Sequence, residues 1–329
     1  MTSLRQCHNK EIWNDYVLEN GGHPLQLWGW GDVKSANNWR VYRLFLYDEE
    51  DNILGAVQML IHQLPLPLTS IAYVPRGPIV SKENREELLE KLAIYAKKTC
   101  RSIVLSIEPD DYEYEVPKDW HKSNNHILPA RTIILDLNKS ESELLNSMAS
   151  KTRQYIRKSA SENIQIKQIR NREELTKCLE IYHQTAKRSK FAIHKNEYYY
   201  DVFSFMEDYS PIFVAYYEKE PIAFLWLAIS TDIAFELYGG MNEKGRKLRV
   251  NYALKWHAIR KCKEWELSRY DFGGLIDGGI ATFKKNWADQ ESHLVGTFDK
   301  PLSPLYNLYS RGMPTVKKIM QKIKSLFKK

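Results

Sequence analysis

The chain has 329 residues, 43% hydrophobic and 27% charged, and 48 basic against 41 acidic side chains leave a net charge of +7. That length exceeds what one core usually fills, so two domains are expected, and the composition excludes a disordered or fibrous chain. No apolar run reaches the ~20 residues of a membrane span, the start MTSLRQ lacks the apolar core of a signal peptide, and Cys7, Cys100, Cys178 and Cys262 stand far apart without CxxC spacing, which points to a cytoplasmic protein with buried thiols and neither a zinc site nor a disulfide framework.

In chain order, RVYRLFLY (40–47) and ILGAVQMLIH (53–62) flank the polar turn DEEDN and predict a hairpin. A short strand at SIAYV follows. A helix is predicted from about Asn84, with Leu88, Leu89, Leu92, Tyr95 and Ala96 on one face, then a strand at SIVLSI (102–107). After the strand RTIILDL, the segment NKSESELLNSMAS (138–150) is polar and rich in capping residues, and marks a boundary. Domain 1 is therefore expected over 1–145, completed by 300–329, and domain 2 over 146–299.

The second half repeats the order of the first. Leu175, Cys178, Leu179, Tyr182 and Ala186 at helical spacing precede PIFVAYYE and PIAFLWLAI, which flank a turn at Glu218 to Glu220. The strand IAFELYGG, a helix carrying Leu254, Ala258, Cys262 and Trp265, and the strand RYDFGG complete it. Glu49 and Glu218 at the turns stand 169 residues apart, and Ser102 and Arg269 at the last strands 167. Residue identity between the halves is negligible, so the duplication is one of architecture. Helix, antiparallel hairpin, strand, helix and strand describe a mixed α/β (α+β) unit that resembles the GNAT acyltransferase fold.

Charge is concentrated in a few places. Lys151, Arg153, Arg157 and Lys158 form a basic cluster in which the 153/157 pair shares a helix face, a candidate contact for RNA, with Arg246, Lys247 and Arg249 as a second patch. In TVKKIMQKIKSLFKK, Val316, Ile319, Met320, Ile323, Leu326 and Phe327 fall at helical spacing among lysines. This amphipathic helix, over 315–329, either lies on an anionic inner membrane surface or packs on the first domain.

The stretch YDFGGLIDGGIATFKKNWA (270–288) holds two glycine pairs followed by Phe283, Lys284 and Lys285. A phosphate-binding GxxxxGKS/T loop is excluded, because Ile280 and Ala281 follow Gly279. Together with YVPRGP (73–78) and SKTRQYIRKSASENIQI (150–166), this stretch resembles the Fem family of aminoacyl-tRNA-dependent peptidoglycan bridge-forming peptidyltransferases. The resemblance spans essentially the whole chain. With no sustained heptad insertion, it is similar to the short FemX type.

The resemblance implies two tandem GNAT-like domains with a central cleft, domain 1 on the precursor-binding side and a C-terminal helix returning to it. It implies transfer of an amino acid from aminoacyl-tRNA, as co-substrate and without other cofactor or metal, to the stem peptide of lipid II or UDP-MurNAc-pentapeptide. Lys284 then matches the lysine that stabilises the tetrahedral oxyanion, with Phe283 beside it on the substrate side. Lys34, in WGDVKSANNW, matches a lysine that grips the precursor diphosphate. Lys195 stands where the FemX type has an arginine, with Tyr198 or Tyr199 hydrogen-bonding beside it, and Tyr252 matches a further substrate-side tyrosine. Glu108, in SIEPD, stands in place of an aspartate that orients substrate or accepts the proton of the attacking ammonium; solvent or the neighbouring ribose hydroxyl are the other acceptors.

Two other classes compete. A GNAT enzyme using acetyl-CoA needs a Q/RxxGxG/A loop, which neither PRGPIVSKEN nor MNEKGRKLRVN supplies. A non-catalytic module binding RNA or precursor is consistent with the basic charge. No GxSxG or HExxH occurs, and His257 reads as a core residue.

Overall fold

In a computed structural model, the structure describes residues 2–64, 69–123, 125–275 and 278–312. The chain divides into two compact units. Unit 1 takes the residues up to Trp13, Asn38–Ala130 and those from Leu294 on; unit 2 takes Asn14–Asn37 and Arg131–His293.

Six strands of the unit 1 sheet run in the order Ser3–Gln6, Arg40–Tyr47, Ile53–Gln63, Ser70–Pro75, Ser102–Glu108 and Phe298–Pro301, and the two-residue strands Ile79–Val80 and His121–Lys122 pair with Ile53–Gln63 and Phe298–Pro301. The first three pairings are antiparallel, the fourth is parallel, and the last is antiparallel. Unit 2 orders Ile164–Ile169, Ile212–Tyr217, Glu220–Ile229, Ile233–Met241, Arg269–Asp271 and Ile134–Asp136 with the same series of directions. The expected duplication is therefore present strand for strand.

Each sheet has a helix in its parallel crossover. Lys82–Lys98 buries Leu88, Leu89, Leu92, Ala93 and Ala96, and Val250–Glu264 buries Leu254, Ala258, Ile259 and Cys262, which is the apolar stripe that drives docking onto a sheet. Arg172–Ser189 starts at Asn171, whose side chain accepts from Glu174 N, and stops where Lys190 turns left-handed at φ 57°. Separate apolar clusters fill the two units.

The boundary falls at Ala130/Arg131 rather than at 145/146. RTIILDL ends up in unit 2 because Ile134–Asp136 pairs with Arg269–Asp271 as its sixth strand. Unit 1 takes its own sixth strand, Phe298–Pro301, from beyond unit 2, so the C-terminal return to unit 1 begins at Leu294 rather than 300. Residues 14–37 also belong to unit 2, and carry Lys34 with them. The expected amphipathic helix at 315–329 lies outside the described residues. Within the described residues, no helix is long and apolar enough to cross a membrane.

One difference between the sheets matters for function. In unit 1 the parallel pairing shifts register once, between Ser70 and Ala72, and then runs on from Ala72↔Leu105 to the strand ends at Pro75↔Glu108. In unit 2 the parallel pairing ends at Phe235↔Asp271, although the first strand runs on to Met241. A bulge opposite Trp226/Leu227 sits at the point of departure and increases the local bend. The two strands of unit 2 thus part just after Phe235, and Glu236 is the first residue past the split.

Candidate active site

The DFGG segment forms the floor of that split. Asp271 accepts from Thr132 Oγ1 at 2.5 Å and from Gly273 N at 2.8 Å, and Gly274 N donates to Thr132 Oγ1 at 3.1 Å. Gly273 has φ 74°, and a Cβ there would stand 2.4 Å from the carbonyl oxygen of Glu236. Glycine is required on both counts. The first glycine pair therefore lets one strand end pass close to another.

Lys284 lies on a short helix, Gly279–Lys285, not in a loop. Its ammonium donates to the carbonyls of Phe272 and Gly274, the latter at 2.9 Å. An ammonium has three protons, and the third has no hydrogen-bond partner among the described residues. Burial lowers the Lys284 pKa, while Glu236 and Asp271 counteract that by attraction. The result is a partly desolvated cation, aimed by two backbone carbonyls, with one donor to spare. Its neighbour Lys285 is exposed and pairs with Glu291 at 2.6 Å, which Arg131 also holds at 2.9 Å.

Aromatic rings connect this helix to a basic surface. Tyr252 stacks on Trp287 (centroids 5.9 Å apart, 18° between planes) and meets Phe283 and Tyr155 edge-on, each at 5.1 Å. Over Tyr155 stand the Arg249 guanidinium at 4.0 Å and the Lys151 ammonium at 5.8 Å. Cations interleaved with rings suit a single-stranded nucleic acid end, where bases stack and phosphates pair. The Tyr155–Arg249 contact, which joins the two patches read from sequence, lies between positions nearly a hundred residues apart, so no local pattern announces it.

The basic cluster itself is divided in its roles. Lys151, Arg157 and Lys158 are exposed. Arg153 instead turns back and donates to the carbonyls of Met148 at 2.5 Å and Leu145 at 3.3 Å, at the end of the helix Glu141–Ser147. It satisfies the carbonyls that a helix leaves unpaired. We expect Arg153→Ala to lower thermal stability by about 1 kcal/mol and Arg157→Glu with Lys158→Glu to leave it nearly unchanged, as melting curves will show.

A second constellation in unit 2 gathers Lys34 and Tyr198. Trp28–Ala36 packs on Asn196–Met206, and a Cβ at Gly29 would lie 2.1 Å from the Phe205 carbonyl, so glycine sets that close approach. Lys34 Nζ donates to Tyr198 Oη at 2.8 Å and sits 4.4 Å over the Trp30 ring. Burial lowers its pKa to about 8 and raises that of Tyr198 to about 12. His194 stacks on Tyr198 at 3.9 Å, and Lys195, exposed at the N-cap of the same helix, adds a cation beside the helix's first amides. Tyr199 is buried at 1% exposure and accepts from His194 N at 3.0 Å, so Tyr198 rather than Tyr199 bonds a lysine, and that lysine is Lys34, not the expected Lys195.

Glu108 belongs to unit 1 and is 1% exposed. Its carboxylate accepts from Ile127 N and Thr297 Oγ1, both at 2.8 Å, from Leu128 N at 3.1 Å, and from the Tyr73 hydroxyl. Four donors fill all four acceptor positions of a carboxylate. Tyr73, the first residue of YVPRGP, is thereby tied to the strand end, and burial with the adjacent Glu108 raises its pKa well above the usual phenol value. This geometry gives Glu108 the task of holding the 127–128 segment and leaves no lone pair for a substrate proton. Among the described residues, no three His, Cys, Asp or Glu side chains gather where they could hold a metal ion.

Residues 146–285 match the family model of the acetyltransferase (GNAT) domain, and residues 10–127 match that of the FemAB family. The lipid II:glycine glycyltransferase of Staphylococcus epidermidis is 23% identical, with 92% of this chain and 94% of that protein covered. That of Staphylococcus aureus is also 23% identical, covering 95% and 97%. The crystal structure of FemX superposes with a TM-score of 0.82 at 19% identity, over 94% of this chain and all of that one, which establishes the shared fold.

Proposed function

Since this chain belongs to the FemAB family, we propose that it is a non-ribosomal peptidyltransferase that moves an amino acid from aminoacyl-tRNA to the stem peptide of a peptidoglycan precursor. The observation that carries the reading is the Lys284 ammonium, with two protons on backbone carbonyls and the third uncommitted among the described residues. An acceptor amine attacks the ester carbonyl, the C–N bond forms, and the carbonyl oxygen gains a full negative charge. Lys284 donates to that oxygen. Collapse breaks the bond to the ribose oxygen, which leaves as a hydroxyl, and the attacking ammonium loses a proton to solvent or to the neighbouring ribose hydroxyl. A donor set before the reaction costs no reorganisation at the moment charge develops.

The aromatic and basic surface from Tyr155 and Arg249 to Phe283 is suited to the acceptor end of the tRNA. Lys34, Lys195 and Tyr198 are suited to the diphosphate of the precursor. Lys34 supplies a pH test with a definite sign. A lysine is charged below its pKa and neutral above it, so with a value near 8 precursor affinity should fall as pH rises from 7 to 9. Lys34→Arg should abolish that dependence, as titration calorimetry across this range will show.

Acyl-CoA is not favoured as donor. After the split strand, the helix Glu243–Leu248 opens with Asn242 Oδ1 accepting from Gly245 N at 2.9 Å, and carries Glu243 in its first turn. The amides and the field that a pyrophosphate needs are thus partly used and partly opposed. Mass spectrometry of lipid II after incubation with aminoacyl-tRNA should show the gain of one aminoacyl residue; a precursor changed by acetyl-CoA alone would contradict the assignment. Membrane contact through residues 315–329 belongs to the same proposal, and liposome co-sedimentation should fall on truncation after Pro314, unchanged partitioning rejecting it.

A further inference from the structure

Behind Lys284 lies a charged group that the reaction as written does not use. Glu236, the first residue past the strand split, accepts through one oxygen, Oε1, from both Lys255 Nζ and Tyr270 Oη, the latter at 2.7 Å. The side chains of Lys255 and Glu236 are only 6% and 9% exposed. Around the Lys255 ammonium stand the rings of Phe272 at 4.4 Å, Phe283 at 5.8 Å and Trp287 at 6.0 Å. A buried ion pair in such a setting adds little stability over an apolar pair of the same volume, so its presence calls for another reason.

The geometry supplies one. Phe272 is shared by the two lysines: Lys284 takes its carbonyl oxygen and Lys255 lies over its ring. Two cations and the Glu236 carboxylate therefore occupy one small volume, in which each feels the others. We propose that Glu236 is a positioning residue for Lys284, whose buried carboxylate, divided between Lys255 and Tyr270, keeps the proton and the charge on the Lys284 ammonium through the transfer. Lys255 is the opposing weight, a like charge that draws off part of the same carboxylate. The inference rests on Lys284 as the oxyanion donor.

The charged groups around Lys284 can be named element by element. The strand Ile233–Met241 presents Glu236, and Arg269–Asp271 presents Tyr270 and Asp271. The helix Val250–Glu264 presents Lys255 and the Cys262 thiol, which burial and Glu236 keep protonated. On its own helix, Lys285 faces away to Glu291. Burial lowers Lys255 to about 8, Glu236 opposes that, and the charge of Lys284 lowers it further, in keeping with two ammonium groups competing for one carboxylate. Both lysines are desolvated, so the carboxylate decides how much charge each retains.

The test is a pair of substitutions with opposite signs. Glu236→Gln removes the attraction, and the alkaline limb of the transfer rate should move down by roughly one pH unit. Lys255→Met removes the competitor and leaves Glu236 to Lys284, so the limb should move up by a similar amount. Lys255→Arg keeps the charge and should leave the limb in place, and Lys255→Gln serves as the neutral variant if the methionine impairs folding. The Lys284 side-chain resonance, assigned through its loss in Lys284→Arg, is titrated in each folded variant without substrate. Opposite displacements of that resonance support the inference; no displacement, or displacement in one common direction, overturns it. If the resonance moves as stated while transfer does not follow, the role of Lys284 in the reaction fails and its electrostatic coupling stands.

Discussion

Lys284→Met should lower single-turnover transfer by about 10²–10³-fold, equivalent to about 3–4 kcal/mol, the usual loss when one oxyanion donor is removed. Precursor and tRNA affinities should stay within about twofold of the wild type, because the donor is used only when the carbonyl oxygen carries charge. The side chain is half-buried and its ammonium is anchored on Phe272 and Gly274, so the methionine fills similar space and frees two carbonyls. A variant that kept its rate would mean that the charge at 284 serves the fold alone. Lys285→Met, by contrast, breaks an exposed pair with Glu291 and should leave stability nearly unchanged.

Glu108→Gln is the second large effect, and it should be seen in stability before rate. Four donors converge on this carboxylate from Tyr73, Ile127, Leu128 and Thr297. An amide replaces one acceptor oxygen with a donor, so two of the four bonds are lost and donors face a donor, at a cost of about 3 kcal/mol. For a unit of this size that lowers the melting temperature by roughly 5–10 °C. Below the transition, transfer should remain within about tenfold of wild type. A base removed outright would lower the rate by about 10²–10⁴ with little change in melting, so calorimetry and kinetics on one variant separate the two roles.

Most of the architecture was legible because its signals are periodic. Both hairpins, the crossover helices and the repeated order emerge from alternation and helical spacing, and the strand directions of the two sheets agree throughout. The domain boundary was less accessible. RTIILDL is a strand by composition, but nothing in its own residues says that its partner is Arg269–Asp271, more than a hundred residues on. The segment 138–150 reads as a linker because it is polar, yet Ser140 and Glu143 form a capping box and begin a helix within unit 2.

The site shows the same division. Lys284 was singled out by its motif, while the contact of Lys34 with Tyr198, across 164 positions, has no local signal. Glu236 was missed altogether: in IAFELYGG it is a single acid in an apolar strand, and only the early end of the parallel pairing shows why it stands beside Lys284. Arg153 was misassigned for a related reason. Helical spacing places it beside Arg157, but a long side chain can turn back, and the open carbonyls of the preceding helix draw it inward.

The most direct measurement uses an RNA minihelix whose 3′ end carries a phosphonate in place of the aminoacyl ester, a stable mimic of the tetrahedral oxyanion. The wild type should bind it at least 10²-fold more tightly than Lys284→Met does, in proportion to the rate lost on that substitution, with both proteins binding the plain minihelix alike. Equal affinity of the two proteins for the phosphonate would contradict the account.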